Sequence, residues 1–149
     1  MTKSLKSKSS QYTIRLAADE DLPAILNHRS DCLSYLKSYK NIIEQGDKKD
    51  YLVVCEIDGH IAGSARLDIK SSVGTITRVV TSSDNRKNGI GSSLVRHLID
   101  YAKSRNLSKV ELRCLSKNYE FYHRLGFVQD GPEYIENNLQ YRNMKMEIS

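Results

Sequence analysis

The chain has 149 residues, 39% of them hydrophobic, and its 23 Lys and Arg against 18 Asp and Glu give a formal net charge of +5. This length allows one hydrophobic core and is too short for two, and the composition excludes a disordered or collagen-like protein. No apolar run approaches the about 18 residues that a membrane-spanning helix needs, so no membrane association is predicted.

Residues 1–10 differ in character from the rest of the chain. They are basic and rich in serine, and they lack the apolar stretch of a signal peptide. Because termini of this kind fray when nothing ties them down, the sequence predicts a flexible basic tail over residues 1–10 and a single domain over residues 11–149.

The cysteines and histidines show no pattern typical of a disulfide framework or a metal site. The three cysteines include no C-x-x-C pair, and the four histidines lack metal-ligand spacing. We therefore predict a cytoplasmic protein without a bound metal. The residues concerned are Cys32, Cys55, Cys114, His28, His60, His97 and His123.

The net positive charge is compatible with two kinds of ligand. It permits nucleic-acid binding, and it also suits a pocket for a phosphorylated small molecule. The nine tyrosines do not alternate with basic residues as an aromatic platform for single strands requires. We therefore expect no nucleic-acid partner, and salt-dependent binding to DNA or RNA would reveal the alternative.

The N-terminal part of the domain begins with a strand and two helices. Alternation predicts the strand over residues 12–16, and Asp19 is the expected N-cap of the first helix, whose apolar stripe contains Leu22, Ile25 and Leu26. A second helix is predicted over residues 34–45, ended by Gly46. Its inward-facing residues would be Leu33, Leu36, Tyr39, Ile42 and Ile43.

Three runs rich in Val, Ile, Tyr and Thr then predict an antiparallel meander. The strands are expected over residues 51–57, 61–69 and 75–81. Asp58-Gly59 is a strong hairpin signal between the first two, and residues 71–74 form the second turn.

The C-terminal part returns to a mixture of helices and strands. Helical spacing predicts helices over residues 91–105 and 117–125, with Ser116 as the N-cap of the second and Gly126 as its left-handed C′ residue. Strands are expected over residues 110–114, 127–128 and 141–148, with an Asn-rich loop over residues 133–140. The whole order is that of a mixed α/β domain.

A glycine-containing loop lies between the third meander strand and the helix that follows. It reads Asn-Arg-Lys-Asn-Gly-Ile-Gly-Ser-Ser over residues 85–93. Glycines let backbone amides converge on a ligand, the helix start adds positive dipole, and Arg86 and Lys87 add charge, so the expected ligand is a phosphate or pyrophosphate. The loop matches neither the dinucleotide fingerprint nor the Walker loop.

Two motifs together resemble the GCN5-related N-acetyltransferase (GNAT) family. The glycine loop matches [RQ]-x-x-G-x-[GA], and a later segment matches F-Y-x-x-x-G-F. The resemblance covers nearly the whole chain in element order. It implies the acyl-CoA N-acyltransferase fold, a mixed α+β architecture with a central, mostly antiparallel, splayed sheet flanked by helices. The matching residues are Arg86, Gly89, Gly91, Phe121, Tyr122, Gly126 and Phe127.

Two local resemblances point to different branches of that family. Residues 112–122 are similar to the L-x-C-L-x-x-N-x-x-F-Y segment of some eukaryotic glucosamine-6-phosphate N-acetyltransferases. Residues 131–149 are similar to small bacterial members of unassigned substrate. The acceptor therefore stays open.

The resemblance implies an enzyme that uses acetyl-CoA as acyl donor and acetylates a primary amine of a small molecule. Direct attack in a ternary complex is the implied mechanism, and a homodimer through the late strands is the implied assembly. Two alternatives remain: a non-catalytic module that binds acyl-CoA as a sensor or interaction domain, and a protein N-acetyltransferase.

The resemblance also implies roles for individual residues. Tyr122 would give a proton to the leaving thiolate. Asn118 would lie near the pantetheine, and Arg124 would approach the CoA phosphates. The backbone of the strand before the loop would bind the pantetheine arm, and the loop amides would cradle the pyrophosphate. These backbone positions are Val79, Val80, Thr81, Arg86, Lys87, Asn88, Gly89, Ile90, Gly91 and Ser92.

The general base is less well defined, because residues 75–81 contain no Asp or Glu. Glu111 is the nearest acidic candidate along the sequence, and it also fits a solvent-facing strand position; an ordered water is a further alternative. Arg78 either binds an anionic group of the acceptor or packs its stem on the sheet with its head in solvent. Cys114 is expected to be a small buried hydrophobe and not a nucleophile.

Overall fold

The computed structural model describes residues 12–33, 42–44, 46–49, 51–82 and 89–149. The predicted tail and the predicted loop residues Arg86, Lys87 and Asn88 lie outside these ranges. The first elements are β1 (Tyr12–Leu16), a 3-10 turn (Asp19–Asp21), α1 (Leu22–Leu33), α2 (Gly46–Lys49), β2 (Tyr51–Ile57), β3 (His60–Lys70) and β4 (Val73–Thr81).

The later elements surround the end of the sheet. They are α3 (Ile90–Ser104), β5 (Lys109–Leu115), a second 3-10 turn (Ser116–Asn118), α4 (Tyr119–Arg124), β6 (Val128–Gln129), β7 (Tyr134–Glu136) and β8 (Leu139–Glu147). In the described ranges no helix is long and apolar enough to cross a membrane.

One sheet connects all the strands in the order β1-β2-β3-β4-β5-β8-β6, with β7 paired to β8. Among the strands that the structure describes, every pairing is antiparallel except that of β4 with β5. The β4–β5 pairing extends only from Val73–Lys109 to Thr75–Glu111, after which the two strands have no further paired residues. The splayed sheet that the family resemblance implied is therefore confirmed.

The two faces of the sheet are covered by different helices. The apolar stripe of α3, which includes the fully buried Leu94, Val95 and Leu98, packs on one face of the sheet against β2, β3 and β4, in a core that also contains side chains of β5 and β8. On the other face, Ile25 of α1 packs in a smaller cluster with Leu52 of β2. Each large aliphatic side chain removed from water in this way contributes about 1.5–3 kcal/mol, so these stripes fix where each helix sits.

The turn chemistry of the first hairpin agrees with the sequence prediction. Asp58 and Gly59 have φ values of 50° and 80°, as the two central residues of a type I′ turn require. Gly126, which follows α4, also has the predicted positive φ, at 107°.

Two predicted N-caps are wrong. Asp19 lies inside a 3-10 turn whose N-cap is Ala18. The backbone N–H of Ala18 donates to the Asp21 carboxylate at 2.7 Å. Ser116 also begins a 3-10 turn, and its hydroxyl donates to the Glu133 carboxylate instead of capping α4. At Ser116 a carboxylate that is distant in sequence therefore takes the hydroxyl that the local pattern assigned to capping. At the first site the turn begins one residue earlier than predicted, with Ala18 in the N-cap position.

The second predicted helix is also partly wrong. Residues 34–41 and 45 lie outside the described ranges, but residues 42–44 are not helical, and Ile42 and Ile43 are exposed instead of facing inward. Gly46 begins α2 instead of ending a helix. The physical reason is a tight turn, in which the Asp47 carboxylate accepts the Glu44 backbone N–H at 2.8 Å.

The predicted Asn-rich loop over residues 133–140 contains a hairpin that the sequence analysis missed. Strands β7 and β8 pair from Tyr134–Tyr141 to Glu136–Leu139. Asn137 and Asn138, at φ values of 54° and 64°, form the connecting turn. Asparagine tolerates this left-handed backbone better than most residues, so the Asn-Asn pair was the available signal.

Candidate functional site

Two adjacent cavities lie at the gap between β4 and β5 and share part of their lining. We call them the strand cavity, of about 560 Å³, and the helix cavity, of about 690 Å³. Thr77, Glu111 and Asn143 help to line the former, while Gly91 and Phe121 help to line the latter. The side chains shared by both cavities are Leu33, Val79, Asn118 and Tyr122.

The helix cavity lies between the end of β4 and the first turn of α3. Gly89 is the N-cap of α3 with a φ of 78°, and Gly91 follows in the first turn. A Cβ on Gly91 would lie 3.2 Å from Cζ of Phe121 and 3.7 Å from Cγ2 of Thr81. Glycine therefore lets the start of α3 approach α4 and β4 closely. The first amides of a helix have no partner within it, which makes this end of the cavity suited to an anion.

The predicted donor-binding residues separate into groups in the structure. Val79, Val80, Thr81 and Gly91 line the helix cavity together with Asn118. Ile90 and Ser92 belong to the first turn of α3, where Ile90 is completely buried. Arg124 is exposed on α4 and lines neither cavity.

Tyr122 lies at the junction of the two cavities. Its side chain is only 9% exposed, and the rings of Phe121 and Phe127 meet it edge-on, with centroids 4.9 Å and 6.1 Å away. None of the hydrogen bonds found among the described residues involves its hydroxyl. Burial raises the pKa of this phenol well above its ordinary value, with a smaller contribution from Cys114. The hydroxyl therefore stays protonated and free to donate.

Strand β4 contains a β-bulge, and Val79, which lines both cavities, is part of it. In the register of β3 with β4, Ser64 is opposite Val80 and Arg66 is opposite Thr77, so Arg78 and Val79 together face Ala65. Arg78 has a φ of 56°, a conformation that is uncommon for residues other than glycine. Arg78 stands out in this strand from the sequence alone, but the bulge has no sequence signal, because a bulge depends on the register with a neighbouring strand.

Glu111 is placed in the strand cavity. It is the β5 member of the last pair between β4 and β5, its side chain is 40% exposed, and its carboxylate lies 3.6 Å from Nζ of Lys109. Asp130, which the sequence analysis did not consider, also lines this cavity.

The carboxylate of Glu44 also reaches the strand β4, although β4 contains no acidic residue. Its two oxygens accept hydrogen bonds from Nε and Nη2 of Arg78, at 3.1 Å and 2.6 Å. Burial would raise the pKa of Glu44, but the hydrogen bonds from Arg78 and Arg66 outweigh it and lower that pKa below its ordinary value. Glu44 is therefore a poor proton acceptor. Because Glu44 and Arg78 are 34 positions apart in the sequence, no local pattern predicts their contact.

The structure places Cys114 in the buried position expected for a hydrophobe. It is 6% exposed, burial raises the pKa of its thiol, and its Sγ lies 3.7 Å from Sδ of Met144. Such a thiol is a poor nucleophile, because the thiolate is the reactive form. Among the described residues no group of three His, Cys, Asp or Glu side chains is arranged to hold a metal ion.

Comparisons with known proteins bear on the family and the fold of this chain. The family profile described as an acetyltransferase (GNAT) domain matches residues 20–148. An uncharacterised N-acetyltransferase of Methanocaldococcus jannaschii is 31% identical, and the match covers 78% of this chain and 60% of that protein. Glucosamine 6-phosphate N-acetyltransferase 1 of Oryza sativa subsp. japonica is 35% identical over 57 residues, which cover 38% of this chain and 34% of the rice protein.

A solved structure shows the same fold. The acyl-CoA N-acyltransferase from Pseudomonas aeruginosa superimposes with a TM-score of 0.76 at 23% identity, covering 91% of this chain and 97% of that one. The predicted acyl-CoA N-acyltransferase fold is thereby confirmed. The chain spans less than two thirds of the length of the two curated relatives.

Proposed function

The chain belongs to the GNAT acetyltransferase family, and we propose that it transfers an acetyl group from acetyl-CoA to a primary amine of a small molecule. The observation that supports this best is the meeting of two cavities at one buried, protonated tyrosine in the β4–β5 gap. Two cavities with a shared wall allow donor and acceptor to bind together, which favours direct attack in a ternary complex.

The helix cavity is the proposed donor site. Acetyl-CoA supplies an activated acetyl thioester when bound. In the described part of the chain, no strand pairs with β4 on its β5 side beyond Thr75, so the backbone of Val79–Thr81 is available to hydrogen-bond an extended pantetheine arm as an added strand would. The close approach of Gly91 to Phe121 and Thr81 leaves the amides of the first turn of α3 for the pyrophosphate. The loop residues Arg86, Lys87 and Asn88 remain proposed contacts, as does Arg124 at the CoA phosphates.

The strand cavity is the proposed acceptor site. Its volume of about 560 Å³ is in the range of small-molecule sites, and both carboxylates and hydroxyls line it. An amine must lose its proton to attack, and Glu111 is the proposed general base, directly or through a water. Tyr122, at the junction, is the proposed proton donor to the leaving thiolate, and Asn118 a pantetheine contact.

The test is thiol release from acetyl-CoA measured against a panel of amines. The panel contains glucosamine 6-phosphate, polyamines, aminoglycosides, amino acids and peptides that contain lysine. We expect turnover with one class of small amines, because the cavity selects by size and by its polar lining. Turnover with peptides alone would contradict the small-molecule acceptor.

A second candidate function is an acyl-CoA sensor without catalysis. The observation that favours it is the lack of an acidic residue on β4, combined with the lowered pKa of Glu44, the carboxylate that reaches this strand. Calorimetric binding of acetyl-CoA without thiol release across the whole panel would support the sensor and contradict the enzyme.

A further inference from the structure

A network of buried charges connects three separate parts of the chain to the β4 bulge. Arg29 of α1 binds the Asp47 carboxylate through two hydrogen bonds of 2.8 Å and 3.0 Å. Nη1 of Arg66 donates to Asp47 and to Glu44, at 2.9 Å and 2.8 Å. Glu44 in turn holds the guanidinium of Arg78 with both oxygens.

Within the described residues the network is balanced in charge, and its centre is removed from water. Its three arginines face three carboxylates, because Arg66 also binds Asp68 at 2.6 Å and 3.1 Å. The side chains of Arg29 and Asp47 are 1% and 0% exposed. Buried charges of this kind persist only when geometry satisfies them, so the arrangement holds its members in fixed positions.

The end of this network is the strained residue of β4. Arg78 has a positive φ, which for a side chain with a Cβ costs free energy and persists only when its surroundings enforce it. Val79, the other residue of the bulge, lines both cavities. The orientation of the Val79 backbone therefore depends on the conformation that is imposed on Arg78.

We infer that Glu44 is a positioning residue, which fixes the β4 bulge through Arg78 and thereby aligns the backbone that lies between the donor and acceptor cavities. The inference rests on the proposed function for its catalytic meaning. The physical effect on β4 is independent of that function, because it acts on the protein without any ligand. Glu44 itself is not a catalytic residue.

The test is hydrogen exchange of β4 amides, followed by mass spectrometry, in the ligand-free protein. In Glu44→Gln, amide exchange in β4 should become about tenfold faster. This factor corresponds to the low end of the free-energy cost of a residue that is held in a strained backbone conformation. Exchange in α3 should not change. The matched control is Glu56→Gln on β2. This substitution removes a similarly exposed carboxylate, whose Oε1 lies 2.9 Å from Nε of Arg15 on the edge strand β1. Equal exchange in both variants would overturn the inference.

Two substitutions of Arg78 separate positioning from general stability. Alanine keeps the Cβ that makes a positive φ costly, whereas glycine removes that cost. We therefore expect faster β4 exchange in Arg78→Ala than in Arg78→Gly, and no added effect of Glu44→Gln in the Arg78→Gly background. An undiminished effect of Glu44→Gln in that background would show that Glu44 does not act through Arg78.

A conservative variant and an activity measurement complete the design. If Glu44→Gln does not fold, Arg78→Lys keeps the charge without the two-point contact, and its β4 exchange should exceed that of the wild type; unchanged exchange would contradict the inference.

With an identified amine, Glu44→Gln should lower kcat about tenfold while the melting temperature stays close to that of Glu56→Gln. Absent turnover in the wild type would refute the proposed enzyme and leave the exchange result standing.

Discussion

At the scale of single residues, the chemistry of Tyr122 depends on the environment of its ring. Tyrosine is a weak acid with a pKa of about 10 in water. Burial between the rings of Phe121 and Phe127 raises that pKa, so the phenol remains neutral under all ordinary conditions. A neutral phenol at the cavity junction is suited to give a proton to a thiolate and unsuited to accept one from an amine.

Replacing Tyr122 by phenylalanine removes the hydroxyl and keeps the ring packing. We expect kcat to fall about a hundredfold or more, the usual contribution of a positioned proton donor, with little change in acetyl-CoA affinity. Steady-state kinetics and calorimetry measure the two quantities. Tyr119→Phe on the same helix is the control, because Tyr119 lines neither cavity. Unchanged turnover in Tyr122→Phe would remove Tyr122 from the mechanism.

At the scale of elements, the start of α3 and the end of β4 together form the proposed donor site. The apolar stripe of α3 fixes its position on the sheet, and the loss of β4–β5 pairing after Thr75 opens the space beside it. Gly91 is needed where the two elements meet, since any side chain there meets Phe121. The site thus depends on the relative placement of a helix start and a strand edge.

Substitutions at Gly91 test this placement. Gly91→Glu should abolish acetyl-CoA binding, because the side chain fills the cavity and its carboxylate repels the pyrophosphate. Gly91→Ala should weaken binding less, because its Cβ, 3.2 Å from Cζ of Phe121, requires only a small shift of that ring and adds no charge. Calorimetric titration measures both. The control is Arg96→Glu, which places a carboxylate on an exposed part of the same helix. Normal binding by Gly91→Glu would refute the assignment of this cavity to the donor.

At the scale of the whole molecule, the buried network of Arg29, Asp47, Arg66 and Glu44 connects α1 and the short α2 to the sheet. Burial would raise the pKa of Asp47, yet hydrogen bonds from Arg29 and from the Glu44 backbone lower it to about 2. A carboxyl whose pKa falls on folding stabilises the fold above its unfolded pKa. That contribution disappears as the pH falls through the folded value.

Asp47→Asn should therefore destabilise the protein in a manner that depends on pH. At neutral pH it leaves Arg29 with an uncompensated buried charge, which costs about 3–5 kcal/mol. The difference from wild type should shrink as the pH falls from about 4 towards about 2, where Asp47 of the wild type becomes protonated. Urea unfolding at several pH values measures this. Asp100→Asn, at an exposed position of α3, should show no such trend. A constant difference across this range would contradict the assigned pKa.

The elements best predicted from the sequence are those with local signals. The strands β2 to β4, the Asp58-Gly59 turn and α3 follow from alternation, left-handed turn residues and a 3.6-residue apolar period. Each signal depends on residues a few positions apart. Where a distant carboxylate competes, as Glu133 does for the hydroxyl of the expected cap Ser116, the local signal fails.

The candidate site was predictable only in part for the same reason. The glycine loop and the F-Y-x-x-x-G-F segment carry recognisable motifs, so Gly91 and Tyr122 were found in the sequence. The contact of Glu44 with Arg78 joins residues 34 positions apart, and the bulge exists only in the register of β3 with β4. No periodicity within either segment encodes these relations. The homodimer implied by the family resemblance stays a prediction.

The sequence by itself determined the order of the main elements, because backbone preferences and apolar periodicity act over short distances along the chain, and its two motifs carried the resemblance to the family and its fold. Only the tertiary structure decided that β4 and β5 separate after Thr75, that Tyr122 is buried where two cavities meet, and that Glu44 reaches the β4 bulge. These features arise from packing between segments that are remote in sequence. Burial and long-range ion pairing, which change pKa values and fix strained backbone, exist only once those segments are brought together.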